Sequence, residues 1–403
     1  MIPRLRSRFA VSAVWLIVTG VLLIAYSASA APGNPLDAPL SGPLLAFDTA
    51  AQDRIILYDV TNATARELRF GTGWHRVWGF SPDGCRVLFT LSDGLDNARA
   101  YTARLDGSDM RELIQFSAPP VGEWGVWEPQ WSPNAADPRI AFTLIVTQTA
   151  NDGTRVQQHR IAVVPADGGE PAFYSVTGDE HTPRWSPDGQ WLAYVSYEER
   201  PAGRDPLSTA VPDDPVSATV READLWVVGA DGLNKTRRTN FPVGSVSMPR
   251  WSPDGDLIAF VFSPMPNNDQ VWMMGSSPDA LPTQLSYIEA LALDLTWMPD
   301  STALTAALRD FRGVSENRLW RIPLVGVADN DAVQIAGDPA LMNMDYPRYS
   351  PDGHWLAARS AYAMVVIDMQ NARYTLLDDA FMGNTPSVWS PAGFTTESLC
   401  QNP

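Results

Sequence analysis

The chain has 403 residues, 45% of them hydrophobic and 19% charged, with a formal net charge of −17 at pH 7. That length and apolar share exclude a disordered chain and allow a sizeable core. Acidity of this degree, with Lys235 the only lysine, excludes a basic face for a phosphate backbone, so nucleic acid is not an expected partner. The 34 prolines and 28 glycines, set among short runs rich in Val, Ile, Leu, Trp and Tyr, point to an all-β protein with many tight turns.

In chain order, residues 1–30 stand apart. Arg4, Arg6 and Arg8 precede an apolar run from Phe9 to Tyr26, and Ala28 and Ala30 follow at small-residue positions. This is an export signal. The run is long enough to stay in the bilayer as an anchor or to be removed by cleavage, and the arginines place the bulk of the chain outside the cytoplasm either way. Loss of residues 1–30 leaves 26 basic against 46 acidic groups, a net −20. Residues 31–42, "APGNPLDAPLSG", read as a linker, residues 43–394 as the folded domain and residues 395–403 as a tail.

The folded part opens with "LLAF" (44–47), "RIILYDV" (54–60) and "ARELRF" (65–70). A repeat then begins, aligned on the residue before Ser-Pro: "FSPDG" at Phe80, "WSPNA" at Trp131, "WSPDG" at Trp185 and Trp251, "WMPDS" at Trp297, "YSPDG" at Tyr349 and "WSPAG" at Trp389. A period of roughly 40–50 residues with several strands per unit indicates a β-propeller. In S-P-D-G the serine opens a type I turn, proline presets φ, and glycine takes the left-handed position that follows. Each copy is thus a hairpin corner between a unit's first and second strands. The opening segments lack a first strand, whereas "TPSVWSPAG" (385–393) is a first strand with nothing after it. Joined, they complete one blade and close a ring of seven four-stranded antiparallel blades.

The W-S-P-D-G-x-x-hydrophobic-Ala-aromatic units resemble the repeats of the TolB family and of the non-catalytic propellers of prolyl-oligopeptidase-type peptidases. Departures are Asn-Ala-Ala after Trp131, Ser301 for the corner glycine and Ala392 for the corner aspartate. TolB carries an additional N-terminal α/β domain; here only a short spacer precedes the repeats, so the resemblance implies the fold and not TolB's envelope role.

The search for chemistry finds no G-x-S-x-G elbow, no span after residue 394 for a hydrolase domain, and four histidines (His75, His159, His181, His354) without zinc spacing. The corner aspartates Asp83, Asp188, Asp254 and Asp352 read as turn formers, and the loops around Asp93, Asp96 and Asn97 and around Asp329 and Asp331 as solvated. No metal or cofactor is expected. The long insertions (117–128, 144–159, 197–223 and 309–317) fall on the face opposite the corners, where a rigid scaffold places function. The first strands begin on that face, bringing Trp74, His75, Trp124, Trp127, Glu128, Glu180, His181, Asp345 and Tyr346 around the channel mouth. The two cysteines, Cys85 and Cys400, are expected to pair and pin the tail. The expectation is an exported monomeric module that is not an enzyme and binds a protein, peptide or glycan. The alternative is a lactonase- or glycosidase-like hydrolase working in the channel.

Overall fold

The computed structural model describes residues 40–93, 97–174, 178–201, 219–287, 290–310, 316–324, 333–334, 343–360, 363–371, 373–377, 385–395 and 400. They form seven four-stranded antiparallel sheets in a ring, with no α-helix among the described residues. The export segment and most of the linker lie outside the described residues, as do Asp96, Asp329 and Asp331. No helix among the described residues is long and apolar enough to cross a membrane.

Blade one is built from both ends of the chain. Val388–Trp389 pairs with Leu44–Asp48, placing Val388 opposite Ala46 and Trp389 opposite Leu45. Ser390 adds a reciprocal link, its amide donating to the Leu44 carbonyl and its hydroxyl accepting from the Leu44 amide. Each later blade runs through four consecutive strands, and its first strand touches those of both neighbouring blades, so the seven first strands enclose the axis.

The repeat has a direct physical explanation. In four corners the serine hydroxyl donates to the aspartate at 2.5 Å and accepts from the amide five residues on at 2.9 Å. The aspartate also accepts from the amide two residues on, at 3.0 or 3.1 Å. The glycines Gly84, Gly189, Gly255 and Gly353 carry φ between +68° and +81°, and Ser301 adopts +59° in the position where glycine is missing. The corner aspartates are therefore consumed by the turn.

An aromatic in the second strand, after an alanine in four blades and after Leu88 in blade two, fills the space between blades. Phe47, Phe89, Phe142, Tyr194 and Phe260 are among the largest fully buried side chains, each contributing about 1.5–3 kcal/mol on burial. In three units the tryptophan before the corner locks a blade to the one before it. The indoles of Trp251, Trp297 and Trp389 donate to the backbone carbonyls of Arg184, Arg250 and Arg348 at 3.1, 2.9 and 2.9 Å.

Two of the four insertions lengthen strands in their described parts, and residues 202–218 lie outside the described residues. The second and third strands of blade three extend to Arg139–Thr149 and Arg155–Pro165, and those of blade four to Trp191–Pro201 and Thr219–Gly229, paired along their length. The β-branched residues Ile145, Val146, Thr147, Thr149 and Val156 favour this ladder over an irregular excursion. Cys85 and Cys400 are joined in a disulfide with their Cα atoms 5.3 Å apart, fixing the tail beside the corner of blade two.

Candidate functional site at the channel mouth

Four first strands share a defect. Glu128, Thr182, Met248 and Tyr346 have φ between +49° and +55°, and each precedes a proline. At each, the pairing register slips by a residue, as in a β-bulge. After the bulge comes a residue redirected toward the axis: Arg184, Arg250 and Arg348 in blades four, five and seven. Each guanidinium donates to the carbonyl of its preceding proline, at 2.9, 3.1 and 2.6 Å.

These arginines meet two carboxylates. Arg184 donates to Glu128 at 2.9 Å, and Asp294 takes Arg250 on one oxygen at 2.9 Å and Arg348 on the other at 2.7 Å. Groups from five blades interact only where those blades converge, on the axis. Three guanidiniums face two carboxylates there, an excess of one positive charge inside an acidic protein. Burial pulls the Arg184 guanidinium down to about 10, with Arg250 and Arg348 adding to the fall against the opposing pull of Glu128. Burial also pushes the Asp294 carboxyl upward, but Arg348 and Arg250 outweigh it and hold Asp294 below the usual carboxylate range.

Around this centre the expected rim residues divide. Trp124, Trp127 and Tyr346 each carry a guanidinium over the ring, from Arg99 at 3.4 Å, Arg76 at 4.8 Å and Arg359 at 4.8 Å. Their faces already hold the chain's own cations, which argues against a cage for a cationic ligand. Asp345 is gripped by Arg359 through two bonds of 2.8 and 2.7 Å. Trp74 is exposed at the start of its strand. His75 and Glu180 are not brought to the opening. His75 is fully buried, with Nε2 accepting from the Phe70 amide and Nδ1 facing the Gln52 and Gly73 carbonyls, while buried Glu180 accepts from the Gly178 amide.

His181 belongs to a cluster that the sequence reading missed. Its Nε2 lies 3.0 Å from Asp179 Oδ1, and His159 Nδ1 lies 3.3 Å from the same oxygen. The two imidazole centroids are 4.2 Å apart, Tyr197 meets His181 edge-on, and Arg221 donates to both Asp179 oxygens, to Oδ1 at 2.6 Å and to Oδ2 at 2.7 Å. Burial, then the neighbouring His181, lowers the His159 pKa, against the opposing pull of Asp179. The sequence signal was weak because 22 residues separate the histidines. They meet across a blade boundary, through a short parallel bridge between His159 and Asp179.

On the opposite, corner face, a groove between blades four and five is lined by Trp191, Trp251, Asp188, Asp254 and Arg238, among others. Its one guanidinium is occupied by the carbonyls of Gly275, Ser276 and Ser277.

No protein-family model matches the chain. Among curated proteins it is 27% identical over 174 residues to the uncharacterized peptidase YuxL of Bacillus subtilis, covering 43% of this chain and 20% of that protein. It is 31% identical over 145 residues to the uncharacterized protein Atu1656 of Agrobacterium fabrum, covering 34% and 45%. The matches thus span less than half the length of either relative. Among solved structures it resembles a prolyl endopeptidase (TM-score 0.56, 12% identity, 84% of this chain and 49% of that one). It also resembles the oligogalacturonate lyase of Vibrio parahaemolyticus (0.55, 13%, 82% and 92%) and TolB of Acinetobacter baumannii (0.45, 13%, 87% and 66%). At these identities the likeness is one of fold.

The expectation that the chain is not an enzyme has to be corrected. Its structural relatives include a lyase and an endopeptidase, and one sequence relative is named a peptidase. Absence of a nucleophile elbow tests one chemistry only, whereas the same propeller accompanies several.

Proposed function

We propose that this protein is an exported propeller that binds a carboxylate-bearing ligand, an acidic oligosaccharide or an acidic peptide segment, at the channel mouth on the face of the long hairpins. The observation that carries the reading is the uncompensated guanidinium charge on the axis, where Arg184, Arg250 and Arg348 share Glu128 and Asp294. A ligand carboxylate supplies the missing counter-charge, and guanidinium forks suit it well. Half-buried Trp127 and Tyr346, each stacked under an arginine, border the same opening and offer apolar area to a sugar ring or peptide side chain. Export rests on Arg4, Arg6 and Arg8 before the apolar run, and a Cys85–Cys400 bridge suits an oxidising compartment.

The site is tested by titrating oligogalacturonate and, separately, a polyglutamate peptide into wild type, Trp127→Ala, Tyr346→Ala and the corner-face control Trp191→Ala. Whichever probe binds should lose roughly tenfold or more in affinity with the two mouth substitutions, the size of a lost aromatic anchor. The control should bind as wild type. Equal losses from Trp191→Ala, or no effect at the mouth, would remove this location.

A further inference from the structure

We propose that His159, Asp179 and His181 form a binding site for a zinc-class divalent cation that joins blade three to blade four. His159 lies on the third strand of blade three, Asp179 immediately before the first strand of blade four and His181 on that strand. Their ligand atoms all fall within 4.8 Å of one another, and the two shorter separations are 3.0 and 3.3 Å. Tetrahedral zinc with bonds of 2.0–2.2 Å holds its ligand atoms roughly 3.3–3.5 Å apart. Small side-chain adjustments therefore close the triangle around a metal.

A second observation is independent of the spacing. His159 Nδ1 is shielded from solvent and forms no hydrogen bond, although it faces Asp179. A buried ring nitrogen that faces a carboxylate oxygen at 3.3 Å without hydrogen-bond geometry is poorly satisfied, and a metal satisfies it directly. His181 Nε2 is directed at the same carboxylate oxygen. Two imidazoles converging on one oxygen make a poor hydrogen-bond arrangement but a good N,N,O ligand set.

The ligand types choose the cation. Calcium and magnesium require mostly oxygen ligands, whereas two imidazoles and one carboxylate suit zinc and its first-row neighbours. Arg221 does not block the site. It donates to both Asp179 oxygens, including the Oδ1 that the histidines face, and a carboxylate has about four lone-pair sites, enough for a guanidinium and a metal. Such an outer partner orients a ligating carboxylate. The three side chains retain 15%, 30% and 25% of their exposure, which leaves a fourth coordination position open to water or a ligand group.

A bound cation would tie the base of the long blade-three hairpin, where His159 lies opposite Ile145, to the blade-four strand, where His181 lies opposite Val195. The proposal is independent of the channel ligand: it involves different residues and is read by metal content.

The test uses the full exported chain, stripped with chelator and dialysed against zinc chloride, with bound metal measured by inductively coupled plasma mass spectrometry. One zinc per chain is expected, and zinc should raise the melting temperature. His159→Ala and His181→Ala should each weaken zinc roughly 100-fold or more, whereas His354→Ala, at a histidine outside the cluster, should not. Should an alanine variant melt abnormally without metal, His181→Gln preserves volume and should show the same loss. Absence of stoichiometric zinc, or zinc retained undiminished by the His159 and His181 variants, would overturn the site.

Discussion

Truncation after Asn384 should cost the protein its cooperative fold, lowering stability by more than about 5 kcal/mol. The lost segment supplies the Val388–Trp389 strand, the reciprocal Ser390–Leu44 bonds and the Trp389 indole bond to the Arg348 carbonyl. It also supplies Thr385, which hydrogen-bonds Asp48, a carboxyl that burial pushes up to about 6 and that would lose a polar partner. The disulfide goes too, worth about 2–4 kcal/mol where strain is absent. The Leu44–Asp48 edge of blade one then opens, inviting association between chains. Thermal melting and size-exclusion chromatography read the outcome. Cys400→Ser should reproduce only the disulfide share, so the difference between the two variants measures closure by the strand. A truncated chain that melts with the full one would mean that the ring does not depend on its C-terminal strand.

The second large effect is expected on the axis. Asp294→Asn should destabilise by about 3–5 kcal/mol, because removing one partner of a buried pair leaves charge uncompensated. Here it strands two arginines at once, Arg250 and Arg348, with Glu128 the other carboxylate acting on Arg348. The pH dependence has a definite sign. The folded-state pKa of Asp294 lies below its ordinary 3.8, so its contribution is fully present above that value and is lost as pH falls through the lower folded-state pKa. The gap in stability between wild type and Asp294→Asn should therefore hold from neutral pH down to about 4 and narrow below it. Denaturant unfolding of both proteins at pH 7.5 and at the lowest pH where both fold checks this. Equal stability at pH 7.5 would mean that water, and not Asp294, neutralises the channel.

Much of the fold was legible because its determinants are local. Ser-Pro-Asp-Gly makes its turn with bonds spanning two to five residues, and the following Ala-aromatic pair places a Phe or Tyr between blades without reference to distant sequence. The seven-blade count came from the two incomplete ends, "LLAF" and "TPSVWSP". The site was harder to read because its determinants are not local. Pro-Arg-Trp and Pro-Arg-Tyr recur at 183–185, 249–251 and 347–349. Only the bulge before each proline, with its left-handed residue, sends these arginines to one axis, and periodicity carries no trace of that. His75 looked like a rim residue by register but faces inward between blades one and two, satisfied by backbone. The pairing of His159 with His181 depends on a long blade-three hairpin that the sequence suggested was an irregular loop.

The proposed function turns on an uncompensated positive charge in the channel, which a ligand carboxylate neutralises. Isothermal titration of the full chain with trigalacturonate and with its fully methyl-esterified form isolates that charge at constant ring structure, and a polyglutamate peptide beside its uncharged polyglutamine counterpart does the same for a peptide. The account predicts that one acid binds at least roughly tenfold more tightly than its uncharged partner, with the preference weakening as salt rises. Equal affinity within each pair, or no binding of either acid, would contradict it.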